Sequence, residues 1–290
     1  MSRDVLGLIM DGHVTVNGAA GDLHMPLRTG DFLLIDIGAC QDRDERSYPE
    51  SLDILYQDDS LVCIDKPAGL PVIPDRRPKG PTIVEICRKM FAAASLYPRP
   101  IHRLDKHTSG VLMLALKKEF VEPLGELFAQ REISKTYLAF VRGVPHPPQG
   151  VIDAPISPDS RKMSRMIIDP ERGKRALSRY KILKAWGGYA LLEVKPETGR
   201  THQVRVHLAY IKNPILCDPL YGGGDAFHLS SLKLDYRIGR GRRERPLLKR
   251  LALHARELAF RSPATGQPVV VRSPLPKDLK ILKEKLDKFA

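Results

Sequence analysis

The feature that most constrains this chain is the way its apolar residues are grouped: short runs, closed off by Pro, Gly and Asp turns, with no regular alternation of strand and long helix. VLMLAL (111–116), YLAFVRG (137–143) and YALLEVKP (189–196) each have strand length, and SLDILYQDDSLVCIDKP (51–67) places two more runs around an Asp58-Asp59 turn. Apolar runs of this size bounded by turn residues are predicted to be strands. Helical spacing is confined to Phe120–Gln130, to a segment with Val204, Leu208 and Ile211, and to the tail from Lys277. LALHARELAFRSPATGQP (251–268) fits a strand or a helix followed by a Pro-Gly turn. Without βαβ repetition, the expected class is α+β around a mixed, largely antiparallel sheet.

Three segments are expected. Residues 1–38 form a small unit, with helical spacing at Val5, Leu8 and Ile9, then GHVTVNG, then FLLIDI opened by Gly30-Asp31. Asn17-Gly18 is a strong signal for a two-residue hairpin. Residues 39–50, with ACQDRDERSYP, are polar and aperiodic and read as a linker. Residues 51–290 are the main domain.

With 42% hydrophobic and 28% charged residues in 290, the chain has material for a core, which excludes disorder and fibrous classes. No run approaches the roughly 18 apolar residues of a membrane span, and an acid-bearing amino terminus is unlike a signal peptide; a cytoplasmic protein is expected. Lys and Arg outnumber Asp and Glu by 47 to 34, a net charge of +13, which points to a polyanionic partner. Two segments are dense in Arg and Lys, Ser157–Arg179 and Arg237–Arg250, and are either solvated loops or the walls of a groove that contacts phosphates. Cys40, Cys63, Cys87 and Cys217 form no CxxC pair and are expected to be free thiols, buried or incidental.

Chemistry concentrates in two places. IHRLDKHTSGVLMLAL (101–116) sets Asp105 at the entrance of a buried strand, among His102, Arg103, Lys106 and His107. Alone, Asp105 reads as a turn or cap residue, completed by Thr108, Ser109 and Gly110; the crowd of ionisable neighbours argues for a site. In ETGRTHQVRVHLAYIKNPILCDPLYG (197–222), helical spacing would put His202, Arg205 and Ala209 on one face, away from Val204. Arg205 is then either a surface ion-pair partner or a guanidinium that favours the ionised form of a partly buried carboxylate. Tyr137, after Lys135-Thr136, is either core or a ring on which an extruded nucleobase stacks. His102, His107, His202 and His207 lack zinc-site spacing, and no metal is expected.

HRLDKHTSG, KTYLAFVRG, ETGRTHQVRVHLAYIKNPILCDPLYG and LHARELAFRSPATG, with DKPAGLPVIP ahead of them, resemble the motifs of RluA-type pseudouridine synthases over residues 51 to about 275. The resemblance implies the pseudouridine synthase fold with a central RNA-binding cleft, and isomerisation of uridine to pseudouridine without cofactor or metal. It assigns the essential carboxylate to Asp105, its basic partner to Arg205 and the base-stacking tyrosine to Tyr137. Arg103 would brace the displaced backbone, and RNA-binding roles extend to His102, Thr108, Arg200, His202 and Gln203. Ribosomal RNA is the preferred substrate, with transfer RNA as the alternative, and a monomer is expected. SRDVLGLIMDGHVTVNG resembles the second helix and hairpin of an S4-type RNA-binding module whose first helix is missing. Departures are Cys217, where the family usually has Gly, and the basic stretch 223–250. A non-catalytic RNA-binding protein on the same fold is the competing reading, and a nuclease ranks last.

Overall fold

In the computed structural model, residues 14–22, 25–28, 30–35, 48–74, 80–162, 164–233, 236 and 244–290 are described. The chain divides into two compact units, Met1–Pro49 and Glu50–Ala290. The expected helix at Val5–Ile9, most of the linker, Cys40 and Arg237–Arg243 lie outside the described residues.

In the first unit, β1 (Val14–Val16), β2 (Ala19–Ala20) and β3 (Leu33–Ile35) form an antiparallel sheet in the order β2-β1-β3. The β1–β2 turn is Asn17-Gly18, with φ of 53° and 81°. Two successive positive φ values are what a type I′ hairpin demands, and Asn and Gly tolerate them. The Asn17 side chain then ties the turn to the neighbouring strand: its Nδ2 donates to Asp31 at 2.8 Å and its Oδ1 accepts the Phe32 N–H at 2.9 Å.

The second unit is built on one ten-stranded sheet. Its first strands are β4 (Ile54–Gln57), β5 (Leu61–Lys66), β6 (Arg99–Pro100), β7 (Ser109–Ala115), β8 (Ser134–Arg142) and β9 (Gln149–Asp153). After the β10 (Ile156–Pro158) and β11 (Met166–Ile168) hairpin, which pairs separately, come β12 (Leu177–Trp186), β13 (Tyr189–Pro196), β14 (Leu253–Arg261) and β15 (Pro268–Arg272). The order is β4-β5-β7-β14-β8-β13-β12-β9, with β15 on β14 and β6 on β7. Every pairing is antiparallel except β7 with β14, where His254 faces Ser109 and Ala255 faces Gly110. That parallel contact requires glycine: a Cβ on Gly110 would lie 2.1 Å from the Ala255 carbonyl oxygen, and its φ is +115°.

Among the described residues, four α-helices pack around the sheet: α1 (Ile83–Met90), α2 (Val121–Ala129), α3 (Gln203–Tyr210) and α4 (Lys277–Phe289). Helix α1 starts at a capping box, in which Thr82 and Glu85 satisfy each other's backbone N–H groups. The tail helix α4 buries Leu279, Leu282 and Leu286 in the same core as Phe140, Trp186 and Leu192. A second core lies around β5, β7, β14 and β15, with Met113, Leu124 and Phe260. Cys63, Cys87 and Cys217 are buried free thiols, and burial pushes Cys87 and Cys217 up to about 12. Among the described residues no helix is long and apolar enough to cross a membrane.

Candidate active site

The turn that carries Asp105 leads into β7, whose seven residues are all buried. Lys66, at the end of β5, is fully buried, and its Nζ donates to the carbonyls of Pro67 (2.9 Å), Lys106 (3.1 Å) and Thr108 (2.8 Å). Gly69 N–H adds a bond to the Lys106 carbonyl at 2.8 Å, and Thr108 N–H closes the turn on the Asp105 carbonyl at 3.0 Å. Burial pushes Lys66 down to about 7, opposed by the nearby Asp105 charge and reinforced by Arg250. One side chain therefore fixes the end of β5 to the backbone that follows Asp105.

Arg205 approaches the carboxylate from α3. Its Nη1 donates to Asp105 Oδ2 at 3.0 Å, while Nε and Nη2 grip Asp218 Oδ2 and Oδ1 at 2.8 and 2.9 Å. Asp218 is fully buried and also accepts the Leu220 N–H. Burial works against the guanidinium charge, but the Asp218 and Asp105 carboxylates outweigh it and raise its pKa. The fork geometry, two acceptors from one acid and one from another, is one that lysine cannot reproduce.

Tyr221 completes the wall. Its ring lies 5.0 Å from the Arg205 guanidinium carbon, and its Oη accepts the Met166 N–H at 2.9 Å. His202 Nδ1 is 2.9 Å from the same Oη, and its Nε2 is 3.9 Å from Asp105 Oδ2. With the Tyr221 O–H donating to Nδ1, the neutral ring keeps its proton on Nε2, facing Asp105. Burial lowers the His202 pKa against the opposing pull of Asp105, consistent with a neutral ring. On β8, Tyr137 is half-buried with no hydrogen-bond partner for its hydroxyl among the described residues. Its phenol is pushed up by burial first and by the Asp105 charge second, which places it within the electrostatic reach of that carboxylate.

The structure thus brings Asp105, Arg205 and His202 together, aligns Tyr137 across Ala255 with Gly110 at the start of β7, and treats the other expected RNA contacts differently. His102 faces inward: Nε2 accepts the Met113 N–H at 3.1 Å, and its ring lies 4.7 Å from that of Phe128. Gln203 is buried, and holds Thr198, the Arg200 N–H, the Leu177 carbonyl and Ser178. Both are occupied by internal bonds. Thr108 is buried, whereas Arg103 is exposed and Arg200 donates its Nε to the Arg175 carbonyl. The one-face reading of 202–209 also needs correcting: His202 is the N-cap, at φ 56°, and Gln203–Leu208 are all buried, because α3 is packed on both sides. Arg250, from the second basic segment, faces inward, gripping Asp278 with two bonds of 2.7 Å and donating to Ser109 Oγ at 3.1 Å.

That Ser109 Oγ lies 3.0 Å from His254 Nδ1, so a buried polar network runs directly behind the Asp105 turn. Burial is the first cause pushing His254 down to about 4, and His102 down to about 3. Both rings are neutral in the fold, while unfolded histidine titrates near 6.5. Their stabilisation is fully present above pH 6.5 and is lost as pH falls, because the unfolded chain binds the extra protons. Urea titrations between pH 6.5 and 4 should show stability falling with acid. His254→Gln should flatten that fall by one proton, about 1.4 kcal/mol per pH unit; an unchanged slope would contradict a neutral His254.

Three residues at the heart of this arrangement, Lys66, Asp218 and Tyr221, were not singled out from sequence, although each stands inside a motif. Among the described residues no group of three His, Cys, Asp or Glu side chains is placed to hold a metal ion.

The profile of the family described as RNA pseudouridylate synthase matches residues 60–210. Ribosomal large subunit pseudouridine synthase D of Xanthomonas campestris pv. campestris is 34% identical over 276 residues, spanning 94% of this chain and 81% of its own length. The protein of the same name from Pseudomonas aeruginosa is 35% identical over 274 residues, spanning 94% and 83%. The solved structure of human RNA pseudouridylate synthase domain containing 4 superposes with a TM-score of 0.61 at 28% identity, over 81% of this chain and 93% of that one. A profile match over half the chain, relatives matched along 94% of this chain and more than four-fifths of their own length, and a shared fold lead to one conclusion: the chain belongs to the RNA pseudouridylate synthase family, the isomerases that convert uridine in RNA to pseudouridine.

Proposed function

We propose that this enzyme acts on structured ribosomal RNA in the cytoplasm, as a monomer without metal or cofactor, with Asp105 as the catalytic carboxylate. The observation that carries the catalytic assignment is the pairing of Asp105 with Arg205, itself locked by the fully buried Asp218. Such an arrangement keeps the carboxylate oriented, and the ionised carboxylate is what a nucleophile or a base needs. Asp105 either attacks C1′ of the target uridine or removes the C2′ proton to give a glycal. In both routes the N1–C1′ bond breaks, the uracil turns, C5 bonds to C1′, and the C5 proton leaves while N1 gains one. No electrons are exchanged with a co-reactant, so the balance closes on the substrate alone.

The remaining roles follow from position. Tyr137, whose ring stands in the field of Asp105, stacks on the flipped base, and its unbonded hydroxyl is available to assist removal of the C5 proton. Exposed Arg103 and Arg200 contact the RNA backbone, and Thr108, His202, His102 and Gln203 shape the binding surface, the last two by holding backbone in place. Residues 1–38 serve as an S4-like contact for structured RNA, a role supported by the Asn17-Gly18 hairpin. Ribosomal RNA is preferred because the two bacterial relatives above are named for the large ribosomal subunit.

Release of tritium from RNA labelled at uridine C5 tests the reading, since every turnover expels that hydrogen. Large-subunit ribosomal RNA should release it and bulk transfer RNA should not. Release from transfer RNA alone would overturn the substrate assignment.

A further inference from the structure

Among the described residues, two buried side-chain polar atoms lack a hydrogen-bond partner, Thr108 Oγ1 and Arg165 Nε. Both border the same site. Thr108 belongs to the Asp105 turn, bonded through its N–H to the Asp105 carbonyl. Arg165 stands just before β11, its backbone fastened on both sides, N–H to the Lys162 carbonyl at 2.9 Å and carbonyl to the Asp159 N–H at 2.9 Å. Its guanidinium carbon is 5.9 Å from the centre of the Tyr221 ring, the ring that also carries Arg205 at 5.0 Å. The neighbouring Met166 N–H bonds the Tyr221 hydroxyl, so the hairpin and the ring hold one another.

Arg165 differs from the other arginines of this site. Arg205 has Asp218 and Asp105, whereas among the described residues no carboxylate pairs with Arg165. A buried N–H left unmade is costly, and is rare in folded proteins unless something else fills it. Cation–π contact with Tyr221 orients the guanidinium without using any of its donors. What the Nε–H lacks is a hydrogen-bond acceptor, and the charge of the guanidinium favours an anionic one. The only polyanion this enzyme must hold at this place is its RNA, and a planar fork is the side chain best matched to a phosphate.

We propose that Arg165, set over the Tyr221 ring by the β10–β11 hairpin, binds a backbone phosphate of the substrate RNA beside the target uridine. The proposal rests on the pseudouridine synthase reading of the site.

The test measures RNA affinity by titration at several salt concentrations for Arg165→Gln and Arg165→Lys, each made in an Asp105→Asn background so that no turnover intervenes. Steady-state kinetics on the same substitutions with Asp105 intact accompany it. Arg165→Gln should weaken binding about ten- to a hundred-fold, reduce the salt slope by about one counterion, and raise KM with kcat at saturation kept. Arg165→Lys, which retains the charge, should recover the slope and part of the affinity. Unchanged affinity and slope in Arg165→Gln would overturn the proposal, as would weaker binding with an unchanged slope, which marks loss of shape rather than loss of a phosphate contact. Wild-type protein without turnover would instead sink the enzymatic reading, and the affinity measurements would still decide the role of Arg165.

Discussion

Asp105→Asn should lower turnover by about 10³–10⁴-fold while leaving RNA affinity within about threefold of wild type. Asparagine keeps the shape of the side chain and can still accept the Arg205 Nη1–H, which lies 3.0 Å from Oδ2 in the wild type. It loses the charge that either proposed route requires. Folding should be retained, because Asp105 is partly exposed and Arg205 keeps its two bonds to Asp218. Product and substrate have the same mass, so the assay must read tritium loss or a base-specific adduct. Turnover within about tenfold of wild type would remove Asp105 from the catalytic role; lost binding together with lost turnover would make it a structural residue instead.

Asp218→Ala should be the most destabilising change in the site, by about 3–5 kcal/mol. Asp218 is fully buried and takes two of the Arg205 bonds, so removing it leaves a buried guanidinium with a single acid partner. The corresponding fall in Tm is on the order of 10 °C for a domain of this size. Turnover should fall as well, since nothing else fixes the angle at which Arg205 meets Asp105. A companion variant separates stability from chemistry. Replacing both partners by apolar residues of similar volume, Arg205→Met with Asp218→Leu, should recover much of the lost stability but none of the turnover. Recovery of both would show that the pair is only structural.

How far the sequence carried depended on distance along the chain. The strands at 111–116, 137–143 and 189–196 were legible because burial on both faces, or alternation, is a local pattern, and β7, β8 and β13 stand where those runs are. Asn17-Gly18 was legible because its backbone angles restrict the residue types. LALHARELAF fits a strand or a helix by its own pattern: what makes it β14 is pairing with β7 and β8, which are remote in sequence. The same holds within the site. Asp105 drew attention through its ionisable neighbours, and Arg205 through helical spacing, but their meeting spans a hundred positions. No local pattern marks Lys66, because two of the three carbonyls it holds belong to residues 40 and 42 positions on. Gln203 and His102 sat inside motifs, and only the fold reveals that their polar atoms are bonded internally. Cys217 is a departure with a physical reading, since its φ of +57° lies in the region where glycine is unstrained.

The central claim is that this chain isomerises a uridine of ribosomal RNA through Asp105. The most direct measurement is to map pseudouridines in total RNA, by an adduct that stops reverse transcription at the modified base, from cells that lack the protein and from the same cells given back either the wild-type or the Asp105→Asn chain. The account predicts one discrete stop in large-subunit ribosomal RNA that disappears with the protein, returns with the wild type, and stays absent with Asp105→Asn. A stop restored equally by both chains would contradict it.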